Sequence, residues 1–184
     1  MTDPLAELIG RILQQLGHTP GSDPELDRTP ERFAQLLRER FAPPIDPPSI
    51  RPLPSAAHPG DRIIVRDLPF HSMCVHHLVP FFGHVHIAYR PRHHILGFGS
   101  FGRIVDAFAR RPQLQERMTA HIADHLADLL APDALVVVSH ARQMCMDLTD
   151  AGRGATTECF ALRGDDPDGI APALVDALRT RASA

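Results

Sequence analysis

The chain contains no lysine: all 19 of its basic residues are arginine. A GC-rich coding bias accounts for that, and such bias should leave arginine wherever a lysine is expected. Cysteine is also scarce. Three cysteines, an odd number, are too few for a disulfide framework and suit a reducing compartment with thiols free for metal. No apolar run approaches the roughly 18–20 residues that cross a bilayer. Met1-Thr2-Asp3-Pro4 has neither the basic start nor the apolar stretch of a secretory signal, so a cytoplasmic setting is expected. A net charge of −3 argues against nucleic acid or an anionic membrane as main partner. What is present is ordinary in bulk: 184 residues, 43% apolar, enough for one domain with a small appendage.

Leu5, Leu8, Ile9, Ile12, Leu13 and Leu16 recur at helical spacing before Gly17, which stops a first helix. Thr29 as N-cap and Pro30 at the first helical position start a second, carrying Phe33, Leu36, Leu37 and Phe41. Seven prolines between residues 43 and 59 predict an extended connector without regular structure. The chain therefore divides into an N-terminal helical region (1–42), a proline-rich connector (43–61) and a main domain (62–184). In the last, residues 62–68 read as a strand and 84–89 as its antiparallel neighbour. Residues 103–111 read as a helix, and Pro112 opens another with Leu114, Met118, Ile122, Leu126 and Leu129 on one face. Leu135-Val136-Val137-Val138 is a buried-type strand running toward Cys145, residues 156–162 a closing strand, and 171–180 a short terminal helix. The order strand, strand, helix, helix, strand, strand gives an α+β unit: an antiparallel sheet with two helices on one face. Its open edges predict self-association, several copies closing the sheet into a barrel.

Two fragments carry chemistry: Cys74-Val75-His76-His77 and Gln143-Met144-Cys145-Met146. A thiolate and an imidazole three residues apart, with a distant second thiolate, make a Cys₂His set. Three protein ligands leave zinc one open position, the catalytic arrangement, where water is activated near neutral pH. The plain alternative is two buried cysteines beside a chance histidine pair.

The surroundings of these fragments resemble the GTP cyclohydrolase I family. Asp67-Leu68-Pro69-Phe70 followed by Cys74-Val75-His76-His77-Leu78-Val79-Pro80-Phe81-Phe82-Gly83 is similar to its metal segment. Arg103-Ile104-Val105-Asp106-Ala107-Phe108-Ala109-Arg110-Arg111, Gln113-Leu114-Gln115-Glu116-Arg117-Met118-Thr119, Met144-Cys145-Met146 and Asp27-Arg28-Thr29-Pro30-Glu31-Arg32 belong to the same pattern, which runs from about residue 5 to Gly164. The resemblance implies the tunnelling fold, with subunits assembled as a toroid, usually two stacked pentamers, and active sites between subunits. It implies zinc on Cys74, His77 and Cys145, attack of water at C8 of GTP, loss of formate and closure of a pterin ring. His76 would transfer a proton near N7, Glu116 with Gln115 would hold the guanine edge, and Arg103 would meet the phosphates. Read without the resemblance, Glu116 is a solvated helix charge, Arg103 a surface cation and His76 a strand-end histidine.

The departures from that family cluster. Val75 stands for a glutamate, Gly99-Ser100 for a serine-lysine pair, Gln143 for a histidine, Thr149 for an arginine and Asp150 for a glycine. Coding bias does not explain Ser100, since it is not arginine. Asp147 and Asp150 add negative charge that repels a triphosphate. Gln143 and Ser100 are the candidate substitutes at altered positions; Arg142 or Arg153 are candidates to replace the lost cations, and His71, His84 or His140 the lost imidazole. The expectation is zinc chemistry at C8 of GTP, a less phosphorylated nucleotide, a nucleoside or guanine, stopping before the pterin. The alternatives are an ordinary GTP cyclohydrolase I and a non-catalytic zinc-binding oligomer. The nitrile reductase that shares the fold needs a cysteine nucleophile, whereas Cys159 on a strand reads as a small buried residue.

Overall fold

The protein is described by a computed structural model covering residues 3–18, 21, 23–42, 47–56, 58, 60–149, 152–166, 169, 170, 172 and 174. It divides into two units, Met1–Pro43 and Pro44–Ala184. In the first, α1 (Pro4–Gln15) packs Ala6 and Ile9 against Ala34 of α2 (Thr29–Phe41). Asp3 caps α1 by accepting from the Leu5 N–H at 3.0 Å and pairs with Arg38 of α2. That guanidinium holds the Asp3 carboxyl down at about 2. The second helix starts one residue before the expected Pro30 and has a different cap. Thr29 already lies inside it, its hydroxyl donating back to the Glu25 carbonyl at 3.4 Å, and Arg28 occupies the N-cap without a side-chain bond.

The second unit holds β1 (Leu53–Pro54), β2 (Ile63–Cys74), β3 (Pro80–Arg90), β4 (His94–Ile95), α3 (Phe98–Ala109), β5 (Pro112–Gln113), α4 (Gln115–Leu130), β6 (Ala134–Gln143), α5 (Met144–Leu148) and β7 (Thr156–Gly164). Five strands form one sheet in the order β5-β2-β3-β6-β7, antiparallel except where β5 runs parallel to β2. The architecture is α+β, with the expected order of main elements. The connector is less irregular than its prolines suggest, because β1 pairs with β4.

Three boundaries differ from expectation for identifiable reasons. Strand β2 continues beyond Pro69 to Cys74, since a bulge between Val65 and Leu68, with Asp67 at φ 60°, re-aims the chain and restores pairing. Helix α3 begins at Phe98 rather than residue 103. Burial of Phe101 and Ile104 overrides the poor helix propensity of Gly99 and Gly102. Pro112 does not open α4: with Gln113 it pairs against Met73 and Cys74, and the helix starts at Gln115.

One sheet face is covered by α3 and α4. Phe81, Val85, Ile87 and Tyr89 of β3 and Leu135 and Val137 of β6 meet Ile104, Met118, Ile122 and Leu126 there. Each such side chain contributes about 1.5–3 kcal/mol on leaving water. On the other face Ala88, Val136 and Val138 pack with Ile170 and Leu174. Apart from Pro172 and Leu174, the expected terminal helix lies outside the described residues, as does Asp150. Gly83 is required where β3 and β6 approach, because a Cβ there would sit 2.0 Å from the His140 carbonyl oxygen.

His86, on the face opposite α3 and α4, is 5% exposed, and its Nδ1 accepts the Asp67 N–H at 3.1 Å. Burial lowers its pKa to about 4, against a smaller opposing pull from Asp67. The folded state therefore binds fewer protons than the unfolded chain between the two values. The stabilisation is complete above the unfolded value of about 6.5 and is lost as pH falls through about 4, a change of at most about 3 kcal/mol. Thermal midpoints followed across that range should fall with acid, and the fall should be shallower in His86→Asn.

Candidate metal centre and its cavity

Cys74 ends β2, and the chain turns back at once into β3. The Leu78 N–H donates to the Cys74 carbonyl and the Cys74 N–H to the Val79 carbonyl, both at 2.9 Å, with Leu78 in the left-handed region at φ 52°. This closed turn folds His77 onto Cys74, placing Nδ1 3.7 Å from Sγ. Pairing of Phe81 with Gln143 brings the end of β6 alongside, and the short α5 that follows delivers Cys145. The ligand atoms of Cys74, His77 and Cys145 all lie within 4.8 Å of one another, with Cys74 buried, Cys145 half-buried and His77 exposed. Burial, followed by the neighbouring Cys74, pushes the Cys145 thiol up. Two sulfurs and an imidazole nitrogen gathered this closely are the donor types zinc takes, so this donor set fits zinc.

A cavity of about 390 Å³ is bordered by Cys74 and Cys145. His76, Glu116, Gln113, Gln115, Gln143, Glu158 and Cys159 border it as well. The exposed His76 ring stands perpendicular to that of His77, with centroids 6.3 Å apart. Glu116 is exposed in the first turn of α4, where a carboxylate is favoured by the helix dipole. Cys159, read from the sequence as a small buried residue, is half-buried, and its thiol is pushed up to about 11, chiefly by burial and then by Glu116.

Beneath the cavity lies a saturated amide network. Gln115 Nε2 donates to the Ser139 carbonyl and hydroxyl, both at 3.0 Å, and to the Thr157 carbonyl at 3.3 Å. Its Oε1 accepts from Thr157 Oγ1 at 2.6 Å and Gln143 Nε2 at 2.8 Å. Every polar atom of Gln115 is thus engaged by protein. Gln143 is held at its amide nitrogen, while its Oε1 lies 4.0 Å from Cys145 Sγ. Sequence reasoning missed Gln113. Its Nε2 donates to the Phe108 carbonyl at 2.6 Å, yet its buried Oε1 has no partner among the described residues. The only sequence signal was its place in the Gln-Leu-Gln-Glu run.

Other candidates lie elsewhere. Within one chain, neither Arg103 nor Ser100 borders the cavity; the two meet on α3 at 3.3 Å. His71 stacks on Phe82 at 6.0 Å beside a second, apolar cavity, and His84 and His140 do not line the first. Arg142 donates to Asp147 at 2.7 Å, and Asp147 also accepts the Gly154 N–H at 2.7 Å. Asp147 therefore restrains Arg142, and Arg153 adds to the positive charge around that carboxylate. Thr149 donates to the Cys145 carbonyl at 2.6 Å.

The sequence profile of GTP cyclohydrolase I matches residues 5–166. The chain belongs to the GTP cyclohydrolase I family. It is 42% identical over 157 residues to the GTP cyclohydrolase 1 of Geobacillus kaustophilus, covering 83% of this chain and 82% of that protein. The corresponding enzyme of Brevibacillus brevis is 39% identical over 165 residues, 88% of each chain. That of Bacillus subtilis is 38% identical over 164 residues, 87% of this chain and 85% of its own. A solved structure titled archaeosine synthase QueF-Like in the apo form overlaps 60% of this chain and all of its own, with 19% identity and a TM-score of 0.47.

Proposed function

We propose that the protein is a zinc-dependent cyclohydrolase that opens the imidazole ring of a guanine compound at C8, and that its activity stops before a pterin is formed. The observation that carries the reading is the Cys74–His77–Cys145 donor set at the edge of a cavity that His76 and Glu116 also border. Family membership supports hydrolase chemistry of this type. Zinc on those three residues supplies Lewis-acid activation of water. Glu116 accepts hydrogen bonds from N1–H and the 2-amino group of guanine, orienting C8 toward the metal ligands. Gln115, with no polar atom to spare, positions Gln143 and the floor of the cavity. His76 holds a proton against N7, which makes C8 electrophilic. Water oxygen bonds to C8, the C8–N9 bond breaks, N9 takes a proton and the formyl group stays on N7.

Further steps need another group that gives and takes protons. Gln143 stands where the family resemblance puts a histidine, and an amide does not titrate. Triphosphate binding also lacks its cations: Ser100 and Thr149 replace lysine and arginine, and Asp147 occupies Arg142. We therefore assign a guanosine, guanine or sparsely phosphorylated substrate and a formamidopyrimidine product. The second reading, full conversion of GTP to 7,8-dihydroneopterin triphosphate and formate, is favoured by the name shared by relatives near 40% identity. Where the substrate carries phosphate, Arg103 meets it from a neighbouring subunit, in a cytoplasmic toroid that closes the edge strands β5 and β7. Zinc-loaded protein should be incubated with GTP, guanosine and guanine and the products weighed. A mass gain of one water without formate release is expected; dihydroneopterin triphosphate from GTP at an ordinary enzymatic rate overturns the truncated reaction, and bound zinc with no turnover on any purine overturns catalysis.

A further inference from the structure

His84 and His140 are left unused by the chemistry above, yet the sheet register sets them side by side. Pro69 of β2 pairs with His84 of β3, His84 with His140 of β6, and His140 with Glu158 of β7. Residues paired across neighbouring antiparallel strands point to the same face, with Cβ atoms about 4.5–5.5 Å apart. Two imidazoles and a carboxylate thus form one row across three strands, on the face opposite α3 and α4. The strands are held close there, since Gly83 leaves no room for a Cβ against the His140 carbonyl. His84 and Glu158 are exposed and His140 is half-buried. No hydrogen bond or ion pair engages these three side chains among the described residues.

We infer that His84, His140 and Glu158 form a second site for a divalent transition metal, with none of its donors shared with the Cys74 set, although Glu158 also borders the cavity beside Cys74 and Cys145. Imidazole and carboxylate donors without thiolate suit zinc, nickel or cobalt and leave the remaining positions to water. His86 is the supporting neighbour rather than a ligand. Its Nδ1 accepts the Asp67 N–H, so its proton sits on Nε2, and burial keeps the ring neutral. Its ring lies 6.5 Å from that of His84 at 31°, walling one side of the row. Among the described residues, only the Cys74 set already has three donor atoms within 4.8 Å, so the second site closes by rotation of its exposed side chains around the ion. A bound ion ties β3, β6 and β7 together.

Cobalt(II) distinguishes the two sites because thiolate ligation produces intense near-ultraviolet charge-transfer absorption that imidazole and carboxylate do not. Tag-free full-length protein, freed of metal under reducing conditions, should be titrated with cobalt(II) while free ion is monitored. Two equivalents are expected, only one of them carrying the thiolate absorption. His84→Asn/His140→Asn should lose the thiolate-free equivalent and keep the other; Cys74→Ser should do the reverse. A single equivalent in the wild-type protein overturns the inference. So does a second equivalent that survives His84→Asn/His140→Asn, which would place it on unrelated surface histidines. Each site has its own signal, so failure here leaves the Cys74 assignment standing.

Discussion

Cys145→Ala is expected to strip the bound metal and lower turnover by about a thousandfold or more. Lewis-acid stabilisation of a developing charge is worth several kcal/mol, and each 1.36 kcal/mol is a factor of ten, so about 4 kcal/mol gives that loss. Cys145 suits the test because it is half-buried on α5 and outside the densest packing, whereas Cys74 sits in the core at 6% exposure. Cys74→Ala should cost the same activity and also some stability. Metal analysis, turnover and thermal melting on both variants separate the effects. Full turnover in metal-free Cys145→Ala would end the proposed mechanism. Chelation should act like the substitution, and added zinc should restore the wild-type protein alone.

The candidate metal set was legible because its information is local. Cys74 and His77 are three residues apart across one tight turn, and Cys145 sits in a recognisable Met-Cys-Met context. The main strands and α4 were legible from apolar spacing. What the sequence hid depends on tertiary contact. Pro69 and the glycines near residue 100 look like breakers, yet ladder pairing and burial carry β2 and α3 through them. The restraint on Arg142 depends on Asp147 being fixed also by the Gly154 N–H, which no spacing rule encodes. Gln113 and Gln115 are the same residue type two positions apart. One has all its polar atoms satisfied and the other keeps a buried orphan acceptor, a distinction set by Ser139, Thr157 and Gln143 on distant strands.

Glu116→Gln should reduce kcat/KM for a guanine substrate by about a thousandfold while leaving metal content and melting temperature near wild type. An ionised carboxylate accepts from both N1–H and the 2-amino group, each such bond to a charged group being worth about 1.5–3 kcal/mol. The glutamine keeps one acceptor and turns an N–H₂ toward a donor on the base, so one bond is lost and a repulsion gained. Stability should be spared because Glu116 is exposed and makes no structural ion pair among the described residues. The substrate side gives an independent check: hypoxanthine compounds, which lack the 2-amino group, should be poor substrates for the wild-type enzyme and show a much smaller ratio in Glu116→Gln. Equal loss on both bases would mean that Glu116 acts on something other than the guanine edge. Gln115→Leu provides the contrast. Removing a buried amide with five protein partners should lower stability and disturb Gln143, without shifting preference between the two bases.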